Sequence, residues 1–226
     1  MMRITLTAIT LLAAVFATTG SFAAGSSGGG DISNVSTATP KTPEQIANGH
    51  YKSGLKHKKK AWKNEAKAAK YDDQAKREKY LTRAQKSYGK AVDKQTEALK
   101  FYPAHYEAAN ELGYALRKTG DYKKAIGAYN YALKINPKFY QAIEYRGEAL
   151  LALGLIGNAK QDYMELFRGD RELAQQLMLA MVTWFKSQDL QTDSVTEFGV
   201  WISERQVLAQ MTQDLSANNA RGWEAQ

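Results

Sequence analysis

The sequence has no cysteine and only three histidines in its 226 residues. The absence of cysteine excludes a disulfide scaffold, a thiolate metal site and a cysteine nucleophile. His50 and His57 are two helical turns apart, but no third ligand accompanies them, and the remaining histidine is the distant His105. Nucleophile elbows, phosphate-binding loops and calcium loops are missing as well. We therefore expect no metal site, no cofactor and no catalytic residue, so the sequence argues against an enzyme.

The N-terminal region has little charge and much apolar surface. Residues 1–3 make a short positive start, residues 4–20 are apolar and uncharged, and residues 21–23 end in small side chains. This pattern predicts a secretory signal peptide over 1–23; an uncleaved membrane anchor is the alternative, because a span needs about 20 apolar residues. An export signal on a chain without cysteine suits the bacterial periplasm, which is the expected location. Residues 24–41 are mostly Gly, Ser, Thr and Asn, which predicts a disordered linker.

Acidic residues are scarce in one segment of the chain. Residues 50–100 carry sixteen basic and six acidic side chains, a formal net charge of +10, against +8 for the whole chain. The lysines concentrate on a basic helix predicted over residues 42–71, which Thr42 caps and Pro43 opens. The predicted basic patch on this helix consists of Lys56, Lys58, Lys59, Lys60 and Lys63. Two interpretations stay open, a solvated helix or a footprint on an anionic lipid surface, polymer or acidic protein. Nucleic acid is the least favoured ligand for an exported protein.

Strand patterns are also missing. From residue 42 onward no segment alternates polar and apolar residues, whereas apolar residues recur three and four positions apart, which predicts helices. Sliding the sequence against itself by 34 positions aligns Tyr88 with Tyr122, and a further step aligns Gly113 with Gly147. A period of this length is typical of stacked repeats, each too small to bury its apolar face alone.

Small residues recur where two helices of one repeat must approach. Gly113 is expected to face Ala125 and Ala132, with Tyr129 filling the space between layers. Pro137 is expected to end the second helix, because the residue before a proline leaves helical geometry. The residues predicted to pack the repeats are Gly113, Ala125, Tyr129, Ala132, Pro137, Gly147 and Ala159.

These residues give the segment 106–139 a resemblance to the tetratricopeptide repeat (TPR). Its packing signature is matched by Leu112, Gly113, Ala125, Tyr129, Ala132 and Pro137. Residues 140–173 keep much of the signature, and residues 72–105 keep it in their second helix, while their first helix either packs as a repeat helix or continues the lysine-rich helix. The resemblance implies an all-α fold, a TPR-like α-solenoid of antiparallel helix pairs with an N-terminal lysine-rich helix and C-terminal capping helices.

Capping helices are predicted over residues 174–215. The first of them is apolar on nearly every side and must be covered. One interpretation is that the two helices pack on each other and seal the last repeat. The other is that Trp184 and Trp201 form a contact with a partner or with a second copy of the chain. Residues 216–226 are predicted to be a disordered tail.

In the TPR family, the first helices of the pairs usually line a concave face that binds a peptide or a helix. The side chains expected on this groove are Glu107, Asn110, Tyr114, Arg117, Gln141, Glu144, Tyr145 and Glu148. The set is acidic in its second repeat and bears tyrosines, which favours a basic or amphipathic peptide. The resemblance thus implies a non-catalytic periplasmic adaptor for a protein or peptide partner in the cell envelope. The alternative is a module that binds a polyanion or a membrane surface through the lysine-rich helix 52–70.

Overall fold

The fold is that of a computed structural model, which describes residues 39–188 and 192–223, without the side chains of residues 213 and 215–223. Within these ranges the chain forms only α-helices. Their bounds are α1 Pro43–Ala68, α2 Gln74–Phe101, α3 Tyr106–Lys118, α4 Tyr122–Ile135, α5 Tyr140–Ala152, α6 Ile156–Gly169, α7 Arg171–Lys186 and α8 Asp193–Trp223. None of these described helices is long and apolar enough to cross a bilayer. The predicted signal peptide, 1–23, and most of the predicted linker, 24–41, lie outside the described residues.

The first helix begins as its sequence predicts. The Thr42 hydroxyl accepts a hydrogen bond from the Gln45 backbone N–H at 3.2 Å, and the Gln45 side chain accepts one from the Thr42 N–H at 3.1 Å. This reciprocal arrangement satisfies two donors that the first turn would leave unpaired. Pro43 follows as the first helical residue, where its missing N–H costs nothing. Because lysine and alanine favour helix and no further proline interrupts them, α1 runs for 26 residues.

The second helix corrects the predicted repeat boundaries. A helix pair within residues 72–105 is wrong, because Gln74–Phe101 is one helix of 28 residues. The Gly-Asp reversal present at residues 120–121 is lacking there. The chain reverses earlier, at residues 69–73, where the Asp73 carboxylate caps α2 by accepting a backbone N–H at 2.7 Å. The helices α1 and α2 therefore pack as the first pair, and the lysine-rich helix is part of the solenoid rather than an appendage to it.

The next two pairs, α3/α4 and α5/α6, follow the 34-residue period. Gly120 and Gly154 reverse the chain within each pair at φ values of +88° and +70°, a left-handed conformation that glycine adopts without strain. Gly113 lies against the ring of Tyr129, where an added Cβ would come within 2.5 Å of a ring carbon. The missing side chain thus allows α3 and α4 to pack closely.

Six of the seven predicted packing residues are buried. The seventh, Pro137, is exposed, since it lies just after the end of α4. Gly147 makes a different contact from Gly113, because an added Cβ there would meet Leu177 of α7 at 2.7 Å. This glycine therefore lets two neighbouring pairs approach, not the two helices of one pair.

The last two helices close the end of the solenoid. They share an apolar core with α5 and α6, in which Leu177 and Phe198 are fully buried. The ring centroids of Trp184 and Phe198 are 5.9 Å apart, and those of Trp201 and Tyr163 are 5.4 Å apart. Both tryptophans therefore pack against rings of the same chain, as the sealing interpretation predicts, and an oligomer contact through their half-buried surfaces stays a prediction.

The final helix is longer than predicted. Because α8 spans Asp193–Trp223, the prediction of a disordered tail over 216–226 is wrong as far as residue 223. No glycine or proline occurs between residues 200 and 220, so nothing in that stretch interrupts the helix once it has begun.

Candidate functional site

The first helices of successive pairs, α1, α3 and α5, bring long side chains together along one face of the solenoid, where most of them are buried or half-buried. We call this the inner face. The inner face is made of Lys58, Trp62, Glu111, Tyr114, Arg117, Glu144, Tyr145 and Glu148.

Three aromatic rings form a row along the inner face. The ring centroids of Trp62 and Tyr114 are 6.1 Å apart, and those of Tyr114 and Tyr145 are 5.2 Å apart. The indole N–H of Trp62 donates a hydrogen bond to the Tyr114 hydroxyl at 2.7 Å. Tyr114 is buried, whereas Trp62 remains 43% exposed. The row therefore presents an open aromatic surface at its α1 end, a feature that is common in protein interfaces.

Lys58 packs against this aromatic row, although its sequence position predicts that it lies in the basic patch. Its Nζ lies 2.5 Å from the Glu111 carboxylate and 5.0 Å from the ring centroids of Trp62 and Tyr114. The side chains of the ion pair are only 13% and 10% exposed. Assigning Lys58 to a basic surface is therefore wrong. The reason is helical geometry, since Lys58 and Trp62 are one turn apart on the side of α1 that meets α3.

A second ion pair joins α3 to α5. The Arg117 guanidinium donates a hydrogen bond to the Glu148 carboxylate. It also lies 5.3 Å from the ring centroid of Tyr114 and 5.4 Å from that of Tyr145, contacts that contribute about 0.5–2 kcal/mol each. The charges of Glu111 and Glu148 are thus both neutralised within the chain.

Glu144 is the third carboxyl group of the inner face, and it is 3% exposed. Burial raises the pKa of Glu144 to about 9. A hydrogen bond with Glu148 and repulsion from its charge add to this rise, and the positive charge of Arg117 opposes it. The group is therefore protonated and neutral at pH 7. Because Glu148 is paired with Arg117 and Glu144 is neutral, the two acidic residues predicted for the second repeat give the groove no unpaired negative charge.

This buried carboxyl should make the stability of the protein depend on pH. The unfolded chain releases the Glu144 proton near the ordinary pKa of 4.5, whereas the folded chain keeps it to about pH 9. Between these values the folded state binds more protons, so the free energy of unfolding falls by up to about 1.4 kcal/mol per pH unit. Denaturant unfolding of Glu144→Gln, which imitates the protonated group, should show a stability advantage over wild type that grows with pH. An advantage that stays constant with pH would contradict this assignment.

The other predicted groove residues lie outside the aromatic row. Asn110 is 1% exposed and is part of the packed interior. The Glu107 carboxylate lies 3.0 Å from Nδ1 of His105, and the Gln141 amide donates to the Tyr145 hydroxyl at 3.2 Å. The structure thus brings together six of the eight predicted residues, namely Tyr114, Arg117, Glu144, Tyr145 and Glu148, with Gln141 bonded to Tyr145 at their edge.

Sequence reasoning missed Trp62 and Glu111 as members of the site. The repeats predicted from the sequence begin at residue 72, so they do not include α1 as the first helix of a pair. The available signal was the tryptophan itself, since Trp62 is the one large aromatic residue in the polar stretch 52–70. Such a residue indicates a side of the helix that packs against something.

A groove between α5 and α7, which we call the α5–α7 groove, lies beside the inner face and has a volume of about 520 Å³. Leu151, Leu179 and Trp184 give it an apolar lining, and Glu144 and Glu148 contribute to its α5 wall. Leu179 is 69% exposed and also lines a larger cavity of about 670 Å³ bounded by α6, α7 and α8. Grooves of this size accommodate apolar side chains of a bound peptide.

These features define an all-α, TPR-like solenoid with an aromatic and apolar inner surface. Residues 106–139 match the tetratricopeptide repeat family, so the chain contains a tetratricopeptide repeat. No curated protein matches the chain.

The solved structures that resemble the chain include two TPR domains. One is the first TPR of Spaghetti (RPAP3) bound to an HSP90 peptide, with 19% identity over 74% of this chain and 97% of that chain and a TM-score of 0.44. The other is the NMR structure of the first TPR domain of human RPAP3, with 18% identity over 65% of this chain and 99% of that chain and a TM-score of 0.46. The HSP90 peptide is bound to the first of these two proteins.

Proposed function

We propose that the protein is a non-catalytic adaptor whose inner face and α5–α7 groove bind a peptide segment of a partner protein. The observation that carries this proposal is that the charged side chains of the inner face are paired with one another, whereas apolar side chains beside them are exposed. Lys58 and Arg117 are each paired with a carboxylate of the chain itself, whereas Trp62 and Leu179 remain open to water. A surface of this kind gains most from covering its apolar groups. The tetratricopeptide repeat at residues 106–139 supports a role in protein interaction.

The chemistry of the site favours an amphipathic peptide over a basic one. Glu144 is neutral at pH 7 because its pKa is raised to about 9, and a basic residue would have to compete with Lys58 or Arg117 for the other carboxylates. An apolar side chain of the peptide meets no such competition in the α5–α7 groove. We therefore expect the apolar side of the peptide to face Trp62 and Leu179.

We further propose that the adaptor acts in the periplasm on a protein of the cell envelope. This part of the proposal is supported by the residues at 1–23, which read as a positive start, an apolar stretch and small residues at the end. Fractionation of cells that express a tagged copy tests the location. Recovery of the tag in the periplasmic fraction, with loss of residues 1–23 detected by mass spectrometry, is the expected result. Retention in the cytoplasm would contradict it.

The binding proposal is tested by site-specific crosslinking. A photoreactive amino acid at Leu179 should crosslink the partner in envelope extract, and mass spectrometry then identifies the crosslinked peptide. A synthetic copy of that peptide is titrated into the purified protein. Burial of a leucine contributes about 1.5–3 kcal/mol, so Leu179→Gln should weaken binding at least about tenfold. Trp62→Ala should weaken it as well.

The matched control is Val207→Gln. Val207 is 53% exposed on α8 and does not line the α5–α7 groove. The control therefore replaces an exposed aliphatic side chain with the same amide, but outside the groove. We expect it to leave the affinity for the peptide unchanged. Equal affinity of the wild type, Leu179→Gln and Trp62→Ala, or equal crosslinking from positions 179 and 207, would overturn the proposal.

A further inference from the structure

A cleft of about 380 Å³ lies between α1 and α2. We call it the basic cleft. It is lined by His57, Lys60 and Asn64 of α1 and by Arg83, Lys86, Ser87 and Lys90 of α2. None of these residues belongs to the inner face, so a ligand in this cleft leaves the inner face free.

The basic cleft concentrates cations without counter-charges. Four of its seven lining side chains are basic, and none is acidic. Over the part of the chain that the structure describes, no ion pair involves Lys60, Arg83, Lys86 or Lys90. Four half-buried cations elsewhere do have carboxylate partners, namely Lys58, Arg117, Lys118 and Arg146. The cations of the cleft therefore repel one another, and an anion bound between them would relieve that repulsion.

His57 responds to the same excess of positive charge. Its partial burial, and then the charges of Lys90, Lys60 and Lys94, lower the pKa of His57 below its ordinary value. The ring is therefore neutral at pH 7. All of the charges that act on it are positive, and they come from both helices.

The floor of the cleft offers few free hydrogen-bond donors. Asn64 and Ser87 are 9% and 5% exposed. The Asn64 amide donates to the Lys60 carbonyl at 2.9 Å, and the Ser87 hydroxyl donates to the Arg83 carbonyl at 2.8 Å. Because these donors already serve their own helices, the cleft can recognise a ligand mainly through charge.

A phosphate group suits this arrangement better than the other common anions. A guanidinium binds two oxygens of a phosphate with its planar fork, and lysines add point charges around it. A phosphate monoester carries nearly two negative charges at pH 7, which cations on both walls of the cleft can share. A carboxylate supplies one charge only, and a neutral ligand would leave the cations uncompensated.

We propose that the basic cleft binds a phosphate-bearing ligand, with Lys60, Arg83 and Lys90 contacting its oxygens. This site is narrower than the basic patch that the sequence analysis predicts, since Lys60 is the one member of that patch that lines it. The remaining exposed members of the patch, which do not line the cleft, are Lys56, Lys59 and Lys63. These three lysines attract anions only through the long-range electrostatic potential of the helix surface, which we call the general field. Salt screens this attraction.

Two triple variants separate the cleft from the general field. The cleft variant carries Lys60→Gln, Arg83→Gln and Lys90→Gln. The helix variant carries Lys56→Gln, Lys59→Gln and Lys63→Gln and loses the same three charges from exposed positions outside the cleft. All six side chains are exposed, so both variants should keep the wild-type thermal unfolding midpoint within about 2 °C.

Binding is measured with two phosphate sources at about 150 mM salt, where the Debye length is about 8 Å. Inorganic tripolyphosphate represents a soluble ligand, and vesicles of phosphatidylglycerol in phosphatidylcholine represent a lipid headgroup. We expect the cleft variant to lose at least about tenfold in affinity for one of these sources, and the helix variant less than about threefold. The source that shows this difference identifies the type of ligand. NMR signals of the His57 ring should shift when that source is added to the wild type.

The proposal is overturned if both variants weaken binding equally, because attraction would then come from the net charge of α1 and α2. It is also overturned if neither source binds the wild type at this salt concentration, or if binding leaves the His57 signals unchanged. None of these outcomes bears on the inner face, where the peptide is proposed to bind.

Discussion

Replacing Arg146 by methionine is expected to lower the free energy of unfolding by about 3–5 kcal/mol. Arg146 of α5 donates to both oxygens of Asp162 on α6, at 3.0 and 2.6 Å, and to the Asn130 side chain on α4 at 2.8 Å. The Asp162 side chain is only 5% exposed. Burial already raises the pKa of Asp162, and the bonds and charge of Arg146 oppose that rise. Without Arg146 the carboxylate would be buried and unpaired, and two neighbouring helix pairs would lose a direct link.

Urea unfolding followed by circular dichroism measures this loss. The destabilisation of Arg146→Met should be larger at pH 7.5 than near pH 5, because Asp162 can take up a proton in the variant. Adding Asp162→Asn should recover part of the stability, since the unpaired charge is removed. Lys100→Met is the control, because Lys100 and Glu97 form an exposed pair worth at most about 1 kcal/mol. Equal effects of the two methionine substitutions would contradict the assignment.

Truncating Phe198 to alanine should cost about 3–5 kcal/mol. Phe198 is fully buried in the core that α8 shares with α5, α6 and α7. Its ring packs against Trp184 and Trp201, each with 5.9 Å between the centroids. The cavity left by alanine would loosen α8 first, because the end of a solenoid has neighbours on one side only. Hydrogen exchange of α7 and α8 should therefore accelerate more than that of α3 and α4.

Val200→Ala provides the matched control for this experiment. Val200 lies two residues from Phe198 on the same helix, but it is 58% exposed, so its truncation should change stability by less than about 0.5 kcal/mol. If Phe198→Ala accelerated exchange evenly along the chain, the last two helices would not be acting as a cap. If it accelerated exchange nowhere, the packing of Phe198 would be wrong.

The helices of the central pairs could be derived from the sequence in detail. The reversals at Gly120 and Gly154, the stop before Pro137 and the close approach at Gly113 all depend on residue types with narrow conformational or steric preferences. Because the same residue types recur 34 positions later, each local prediction for one pair is supported by the equivalent position in the next pair. The first pair escaped recognition because α2 lacks such a reversal, and no local pattern in residues 72–105 shows that its partner is α1.

The inner face was predictable only in part. Counting from the packing positions placed Tyr114, Arg117, Tyr145 and Glu148 on one side of their helices, and the structure brings these residues together. Their charges could not be derived in that way. The protonation of Glu144 depends on its burial and on its distance from Glu148 and Arg117, and these quantities exist only once α3 and α5 are packed.

The sequence by itself determined the helical character, the cap at Thr42 and the spacing of the central repeats, because these features follow from contacts within a few residues or from a pattern that recurs. Only the tertiary structure decided which side of α1 meets α3 and which side meets α2. That packing places Lys58 against Glu111, 53 residues away, and Lys60 in a cleft without counter-charges. Two lysines that look equivalent in the sequence thus have different surroundings, and their electrostatic energies differ because these depend on burial and on distances between residues far apart in the chain.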